Sequence, residues 1–300
     1  MSETAVATGQ KPLWRRIVDY PLVAMVIAVG LVILTAALSA FLADRMPPVA
    51  GFTANMRFGV VCAVLLIILY KLVIRHLGEH PRDDYRDPRA VQRLLIGIAA
   101  GFAVFSIAVA AAAALGVYRI TGPGDVTDLL PALISSAMFP AVSEELVFRG
   151  ILFRWIEEFG GSWVALLLTS VFFGASHLLN PHASAIAAIG IAFEAGVMLG
   201  AAYMLTRSLW LPMGIHAAWN FAQGEIYDIP VSGTPVHGLV TAKLEGPPLL
   251  TGAGFGLEAS LTAIVVATLF GIWLVWLAVK RDEVMAPRWV RRSVNATPAV

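Results

Sequence analysis

Long apolar stretches recur along this chain, and they restrict its fold more than any other feature. An α-helix needs about 20 apolar residues to cross a bilayer, where only helices and closed barrels satisfy their backbone hydrogen bonds. Eight stretches approach or exceed that length: 21–43, 58–74, 94–117, 129–159, 163–179, 183–206, 209–223 and 257–280. The sequence therefore predicts an all-α, polytopic bundle of about eight transmembrane helices.

Composition supports a single membrane domain, because 58% of the 300 residues are hydrophobic and only 14% are charged. The net charge is +1 and basic residues cluster only beside predicted spans, which argues against a nucleic-acid partner. The one cysteine, Cys62, lies in an apolar stretch and excludes an intrachain disulfide. We expect a transmembrane domain at 21–280, tails at 1–20 and 281–300, and the lipid bilayer as partner; the sequence leaves the oligomeric state open.

Lysine and arginine indicate orientation, because they accumulate on the cytoplasmic loops of membrane proteins. Three basic groups stand beside the predicted spans: Lys11, Arg15 and Arg16; Arg75, Arg82, Arg86, Arg89 and Arg93; and Lys280, Arg281, Arg288, Arg291 and Arg292. Eight spans place all three groups, and both termini, on the cytoplasmic side of a cell inner membrane. The Pro- and Gly-rich segment 226–256 is then an external loop, which we expect to be flexible.

Ionisable side chains at membrane depth are functional candidates, because each costs roughly 2.5–3.5 kcal/mol on insertion scales. The predicted spans between residues 129 and 223 contain six that are not at a span end: Glu144, Glu145, Arg149, His177, Glu194 and His216. Six such groups are too many for all of them to face lipid by chance.

The first three of these residues divide into two roles by helical geometry. Glu145 and Arg149 lie four residues apart on one helix face and can form an ion pair, whereas Glu144 points about 140° away from Arg149. Glu145 would then fix helix orientation, and Glu144 would face a cavity and act as a general base. The alternative is that all three residues form one buried salt-bridge cluster that holds helices together.

Two further helices offer polar pairs at a spacing of four residues. Phe173 and His177 share one face, and His216 and Asn220 share another. Together with Glu144, these groups could bind a divalent metal, or His216 and Asn220 could donate hydrogen bonds to a developing oxyanion. The residues alone permit both interpretations.

Taken in order, the patterns are Glu-Glu-x-x-x-Arg, Phe-x-x-x-His and His-x-x-x-Asn on successive predicted helices. This order resembles the CAAX proteases and bacteriocin-processing enzymes, a family that includes the type II CAAX prenyl proteases. The resemblance covers residues 140–221 and includes the small-residue helix around Gly196 and Gly200. It also includes the run 208–215, which reads Ser-Leu-Trp-Leu-Pro-Met-Gly-Ile and leads into His216.

The resemblance implies an intramembrane endopeptidase that hydrolyses a peptide or a membrane-protein substrate. It implies that Glu144 and His177 activate water, that His216 and Asn220 form the oxyanion hole, and that Glu145 and Arg149 support the site. We expect a glutamic-type enzyme without a cofactor, because Asn is a poor ligand for Zn²⁺. The alternative is the same protease with bound zinc or another divalent metal.

A rival interpretation from another class is a non-enzymatic membrane protein, such as a transporter, a scaffold or a bacteriocin-immunity factor. In that case the same polar residues would bind an ion or hold helices together. Glu194 has no counterpart in the resemblance and is either a second cavity carboxylate or a paired structural residue. Gly196 and Gly200 form a small-xxx-small pattern, which predicts close helix packing.

Overall fold

A computed structural model describes residues 11–48, 52–125, 127 and 129–291. Within them the fold is a helix bundle with one two-stranded sheet. The elements are α1 (Leu13–Val18), α2 (Pro21–Arg45), α3 (Ala54–Leu72), α4 (Ala90–Ala114), β1 (Tyr118–Pro123), α5 (Leu129–Ala132), α6 (Phe139–Glu145), α7 (Arg154–Gly160), α8 (Ser162–Ser176), α9 (Ala185–Ile191), α10 (Val197–Thr206), α11 (Trp210–Phe221), β2 (Val240–Leu244), α12 (Pro248–Thr251) and α13 (Leu261–Lys280). Residues 1–10 and 292–300, which belong to the expected tails and include Arg292, lie outside the described residues.

Wider π-helical turns connect or extend several of these helices. Leu133–Met138 joins α5 to α6, Leu146–Phe153 joins α6 to α7, and Ala192–Gly196 joins α9 to α10. A fourth, Ala222–Ile226, continues α11. The first three contain a residue that belongs to the candidate site described below or contacts it, and the fourth begins two residues after Asn220, in keeping with the frequent occurrence of π-turns at functional sites.

Seven helical segments in the described part of the chain are long and apolar enough to cross a membrane. They are Pro21–Arg45, Ala54–His76, Ala90–Ala114, Leu129–Gly160, Ser162–Leu179, Ala185–Thr206 and Leu261–Lys280. The predicted span at 209–223 is a shorter helix, α11 with its π-turn, and its side chains are largely buried inside the bundle. The prediction of an all-α polytopic bundle is confirmed.

The basic groups lie together at one end of the bundle, which we call the basic end. Arg15 Nη2 donates to the carbonyl of His76 at 3.1 Å, so the first group lies beside the start of the second, at Arg75. Arg288 pairs with Glu79, which brings the last group to the same place. This arrangement agrees with an even number of crossings between the groups; the assignment of this end to the cytoplasm stays a prediction.

Glycines bring α4 and α11 into backbone contact. A Cβ atom on Gly101 would lie 2.2 Å from the carbonyl oxygen of Ile215, and one on Gly97 would lie 2.5 Å from that of Leu211. Because Ile215 precedes His216, this contact fixes the height of the candidate site along the bundle. The predicted close packing at Gly196 is also confirmed, since its Cβ would lie 2.7 Å from Ser170 Cα.

At the opposite end, β1 and β2 form an antiparallel ribbon with Tyr118 opposite Leu244. Tyr118 Oη donates to the carbonyl of Tyr227 at 3.1 Å, which ties the ribbon to the end of α11. The segment 226–256, expected to be a flexible loop, therefore contains a strand and the short helix α12. The alternating pattern of side-chain exposure in Val240–Leu244 is the local signal of this strand.

Candidate active site

Glu145 and Arg149 form the predicted ion pair at the centre of the bundle. Arg149 Nη1 donates to Glu145 Oε1 at 2.9 Å, and both side chains are fully buried. Arg149 Nη2 also donates to the carbonyl of Ala195 at 3.2 Å. The guanidinium lies 4.6 Å from the centroid of the Phe173 ring, a cation–π distance. The pair thus connects three neighbouring segments of the bundle.

His216 contacts this ion pair directly. Its Nδ1 lies 2.8 Å from Glu145 Oε1, and because an ionised carboxylate only accepts, Nδ1 is the donor. The sequence assigned Glu145 only a supporting role through Arg149. The structure adds that Glu145 orients the imidazole and turns Nε2 to the side of Glu144.

Glu144 lies apart from the ion pair, as the helical geometry predicts. Its Oε2 is 4.0 Å from His216 Nε2, and its side chain is 33% exposed. Within the described residues Oε2 itself is buried and has no hydrogen-bond partner. A buried carboxylate oxygen of this kind is normally satisfied by an ordered water, which is the reactant that a general base requires.

Asn220 and His177 complete the set of predicted catalytic residues. Asn220 Nδ2 donates to the carbonyl of Ser136 at 2.9 Å, which fixes its amide against the π-turn Leu133–Met138. His177 Nδ1 lies 2.8 Å from the carbonyl of Phe173, one turn earlier, and this bond leaves Nε2 for other contacts. Both residues therefore have a defined orientation.

A small cavity lies beside these residues, and we call it the central cavity. His177, His216 and Asn220 all line it, so the structure brings together three of the four predicted catalytic residues. Glu144 is not among the residues that line the cavity; it is linked to the site by its proximity to His216, whose Nε2 lies 4.0 Å from Glu144 Oε2. The shared cavity wall of His216 and Asn220 agrees with the predicted common helix face.

The central cavity also contains two carboxylates without an assigned role. Glu194 lines it from the π-turn Ala192–Gly196, and Glu258 lines it from the 3₁₀ turn Leu257–Ala259. The sequence singled out Glu194 but missed Glu258. The signal was weak, because Glu258 is the second residue of the predicted span 257–280, and ionisable residues near span ends can reach the membrane interface.

The candidate residues do not converge as metal ligands. In the part of the chain that the structure describes, one group of three acidic or imidazole side chains brings its ligand atoms within 4.8 Å of one another: Glu79, His80 and Glu158. Glu144, His177 and His216 form no such group. The Glu79 group lies at the basic end, where Arg288 already pairs with Glu79. Among the described residues, the central cavity therefore shows no ready-made group of three such ligands.

Comparison with known proteins finds a family likeness in the region of this site. Residues 126–222 match the family model of type II CAAX prenyl endopeptidases, Rce1-like. The resemblance inferred from the motifs is confirmed, and the matched segment includes every predicted catalytic residue. The chain is a multi-pass membrane protein, and its segment 126–222 is similar to the CAAX-type endopeptidases.

A curated relative points to the same class of protein. It is "Putative membrane peptidase YdiL" of Bacillus subtilis (strain 168), which is 26% identical over 171 residues. The alignment covers 54% of this chain and 66% of the relative, so it spans just under two thirds of that protein.

Proposed function

We propose that this protein is an intramembrane endopeptidase of the glutamic type, which cleaves a peptide or a membrane-protein segment. The observation that carries the proposal is the position of His216, held by Glu145 on Nδ1 and facing Glu144 on the side of Nε2. The family match supports endopeptidase activity as the reaction class.

In the proposed reaction, Glu144 removes a proton from a water molecule, and the water oxygen forms a bond to the peptide carbonyl carbon. The carbonyl π electrons move to oxygen, and this oxyanion accepts hydrogen bonds from His216 and Asn220. The tetrahedral intermediate then breaks its C–N bond, and the leaving nitrogen receives the proton from Glu144. His177, which lines the same cavity, orients the water or the leaving nitrogen.

Two features support this division of roles. Glu145 is fully buried and occupied by Arg149 and His216, so it is a poor candidate for a group that must exchange protons with water. Glu144 has a partly exposed side chain and a carboxylate oxygen without a hydrogen-bond partner in the described residues. Glu144 is therefore the better placed of the two carboxylates for a base.

The orientation is proposed on the same basis. Basic residues gather at one end of the bundle, which the positive-inside rule assigns to the cytoplasm of a cell inner membrane. Ser232 and Glu258, which line the central cavity, come from the opposite end. Substrate would then reach the site from the external half of the membrane.

The test is a cleavage assay with purified protein in detergent. A mixture of synthetic peptides is incubated with wild type, with Glu144→Gln, and with the control Glu245→Gln, in which a carboxylate beside β2 is removed. We expect wild type and the control to produce new termini, detected by mass spectrometry, and Glu144→Gln to produce none. Equal product patterns for wild type and Glu144→Gln would favour the transporter or scaffold alternative.

A further inference from the structure

Glu194 and Glu258 are the two carboxylates that line the central cavity, and the proposed reaction does not use them. They approach the central cavity from different elements, and their residues are only 2% and 3% exposed. Charged groups at such depth are costly unless they are paired, so their presence requires a physical explanation.

Neither carboxylate has a cationic side chain as an ion-pair partner among the residues that the structure describes. Glu258 Oε1 accepts a hydrogen bond from the Ser232 N–H at 2.7 Å, which fixes its position. Glu194 Oε2 is buried and has no hydrogen-bond partner within the described chain. The described residues thus show no partner for a paired structural role of Glu194. Its position on the cavity wall favours the alternative, a cavity carboxylate.

The remaining cavity wall is suited to an organic cation. Phe173 and Trp219 line the same cavity, and aromatic faces combined with carboxylates recognise ammonium and guanidinium groups. Since no three acidic or imidazole ligands converge here among the described residues, a divalent metal is a poorer fit.

The raised pKa of Glu258 agrees with a site that can bind a cation. Burial raises the pKa of Glu258 to about 7, and the hydrogen bond from Ser232 opposes this rise. A bound cation would favour loss of that proton and would remove the mutual repulsion of the two carboxylates. The other titratable groups that face the cavity are His177 and His216.

We propose that Glu194 and Glu258 form a subsite for the side chain of a lysine or arginine in the substrate, beside the bond that is cleaved. The subsite adjoins His177, His216 and Asn220 in one cavity, so a residue held there lies next to the reacting carbonyl. This inference rests on the proposed endopeptidase function and adds a substrate class to it.

The first measurement uses the detergent-purified full chain and a randomised peptide mixture. Cleavage sites are aligned after mass spectrometry, and we expect Lys or Arg to be enriched at one position near the cleaved bond. A matched pair of peptides is then made with lysine or norleucine at that position. We expect wild type to cleave the lysine peptide with a kcat/KM about tenfold to a hundredfold higher, as for hydrogen bonds to charged groups.

Two variants test the carboxylates. The lysine-to-norleucine ratio should fall towards one in Glu194→Gln and in Glu258→Gln, and it should stay high in the control Glu245→Gln. Glu194→Asp, which keeps the charge, should retain part of the preference. Inhibition of the wild type gives a readout that needs no variant to fold: n-butylamine should inhibit cleavage, and n-butanol at the same concentration should not.

The outcomes separate the two proposals. Absence of any Glu144-dependent cleavage overturns the endopeptidase function and the subsite with it. Glu144-dependent cleavage without a cationic preference, or a preference that survives both Gln variants, overturns the subsite alone. Equal inhibition by the amine and the alcohol also counts against it.

Discussion

His216 Nδ1 lies 2.8 Å from Oε1 of Glu145, on a helix more than 70 positions earlier in the chain. The same carboxylate oxygen accepts a hydrogen bond from Arg149 at 2.9 Å. One oxygen atom thus fixes both the arginine that joins three segments and the histidine that lines the central cavity. Structural stability and catalytic geometry depend on the same carboxylate, and several measurable consequences follow from this.

The two adjacent glutamates should respond differently to neutralisation. Glu145→Gln leaves Arg149 buried without its counter-charge, and breaking a buried pair costs about 3–5 kcal/mol. We expect Glu145→Gln and Arg149→Ala to lower the thermal midpoint of the detergent-solubilised protein strongly. Glu144→Gln should abolish cleavage with little change in that midpoint. Equal shifts for Glu144→Gln and Arg149→Ala would contradict separate roles.

A second prediction concerns metal dependence and uses Asn220→Asp. In the glutamic mechanism a carboxylate at this position repels the oxyanion, so activity should be lost, whereas loss of one oxyanion donor alone costs about 2.7–4 kcal/mol. In a zinc enzyme the same change supplies a better ligand and should preserve activity. Metal analysis of the purified wild type accompanies the assay. Stoichiometric zinc together with an active Asn220→Asp enzyme would establish the metalloprotease alternative instead.

Stability should depend on pH through Glu258. Its pKa is raised by burial from an ordinary 4.5 to about 7, so the folded protein holds this proton over a range in which the unfolded chain has lost it. The resulting stability is fully present below about pH 4.5 and is lost as the pH rises through about 7. It amounts to roughly 3 kcal/mol, at about 1.36 kcal/mol per pKa unit. As the pH rises, the thermal midpoint should fall less steeply for Glu258→Gln than for wild type. Identical pH dependence of the midpoint in the two proteins would be inconsistent with a buried carboxyl of raised pKa.

The backbone contact between α4 and α11 can be tested with one methyl group. Gly101→Ala places a Cβ 2.2 Å from the carbonyl oxygen of Ile215, so the helices must separate. Overpacking of this kind typically costs about 1–3 kcal/mol, and displacement of α11 moves His216. We expect both the thermal midpoint and kcat to fall. Gly30→Ala is the control, because a Cβ there meets nothing within 4 Å, and it should leave both unchanged.

Topology can be tested by cysteine labelling in a Cys62→Ala background. Single cysteines at Arg86 and Asp282, both exposed, should react with a membrane-impermeant reagent only from the cytoplasmic side. A cysteine at His237, in the opposite loop, should react from outside. Opposite accessibility of positions 86 and 282 would contradict the even number of spans.

Local helical geometry accounts for what the sequence predicted well. The pairing of Glu145 with Arg149 and the separate position of Glu144 follow from residue spacing within one helix, and so does the common face of His216 and Asn220. The hydrophobic stretches likewise predicted the bundle, because span length is fixed by bilayer thickness.

Contacts between helices were not predictable in the same way. The bond between His216 and Glu145 depends on how α6 and α11 pack, and no spacing rule links residues so far apart. The π-turn that begins at Leu146 also departs from the rotation of 100° per residue on which the spacing argument rests. Glu258 was missed because it reaches the central cavity from a short 3₁₀ turn before α13, not from the interior of a span.

In the π-turn Ala192–Gly196, the number of residues matters as well as their identity. A π-turn holds more residues per turn than an α-turn, so it sets the rotation of the helix that follows. Removal of one residue from this segment would turn α10 by about 100° relative to α9. Gly200 would then leave its position against Leu166, and a larger side chain would meet that helix instead. Insertions and deletions are therefore expected to be tolerated less well in this segment than conservative substitutions.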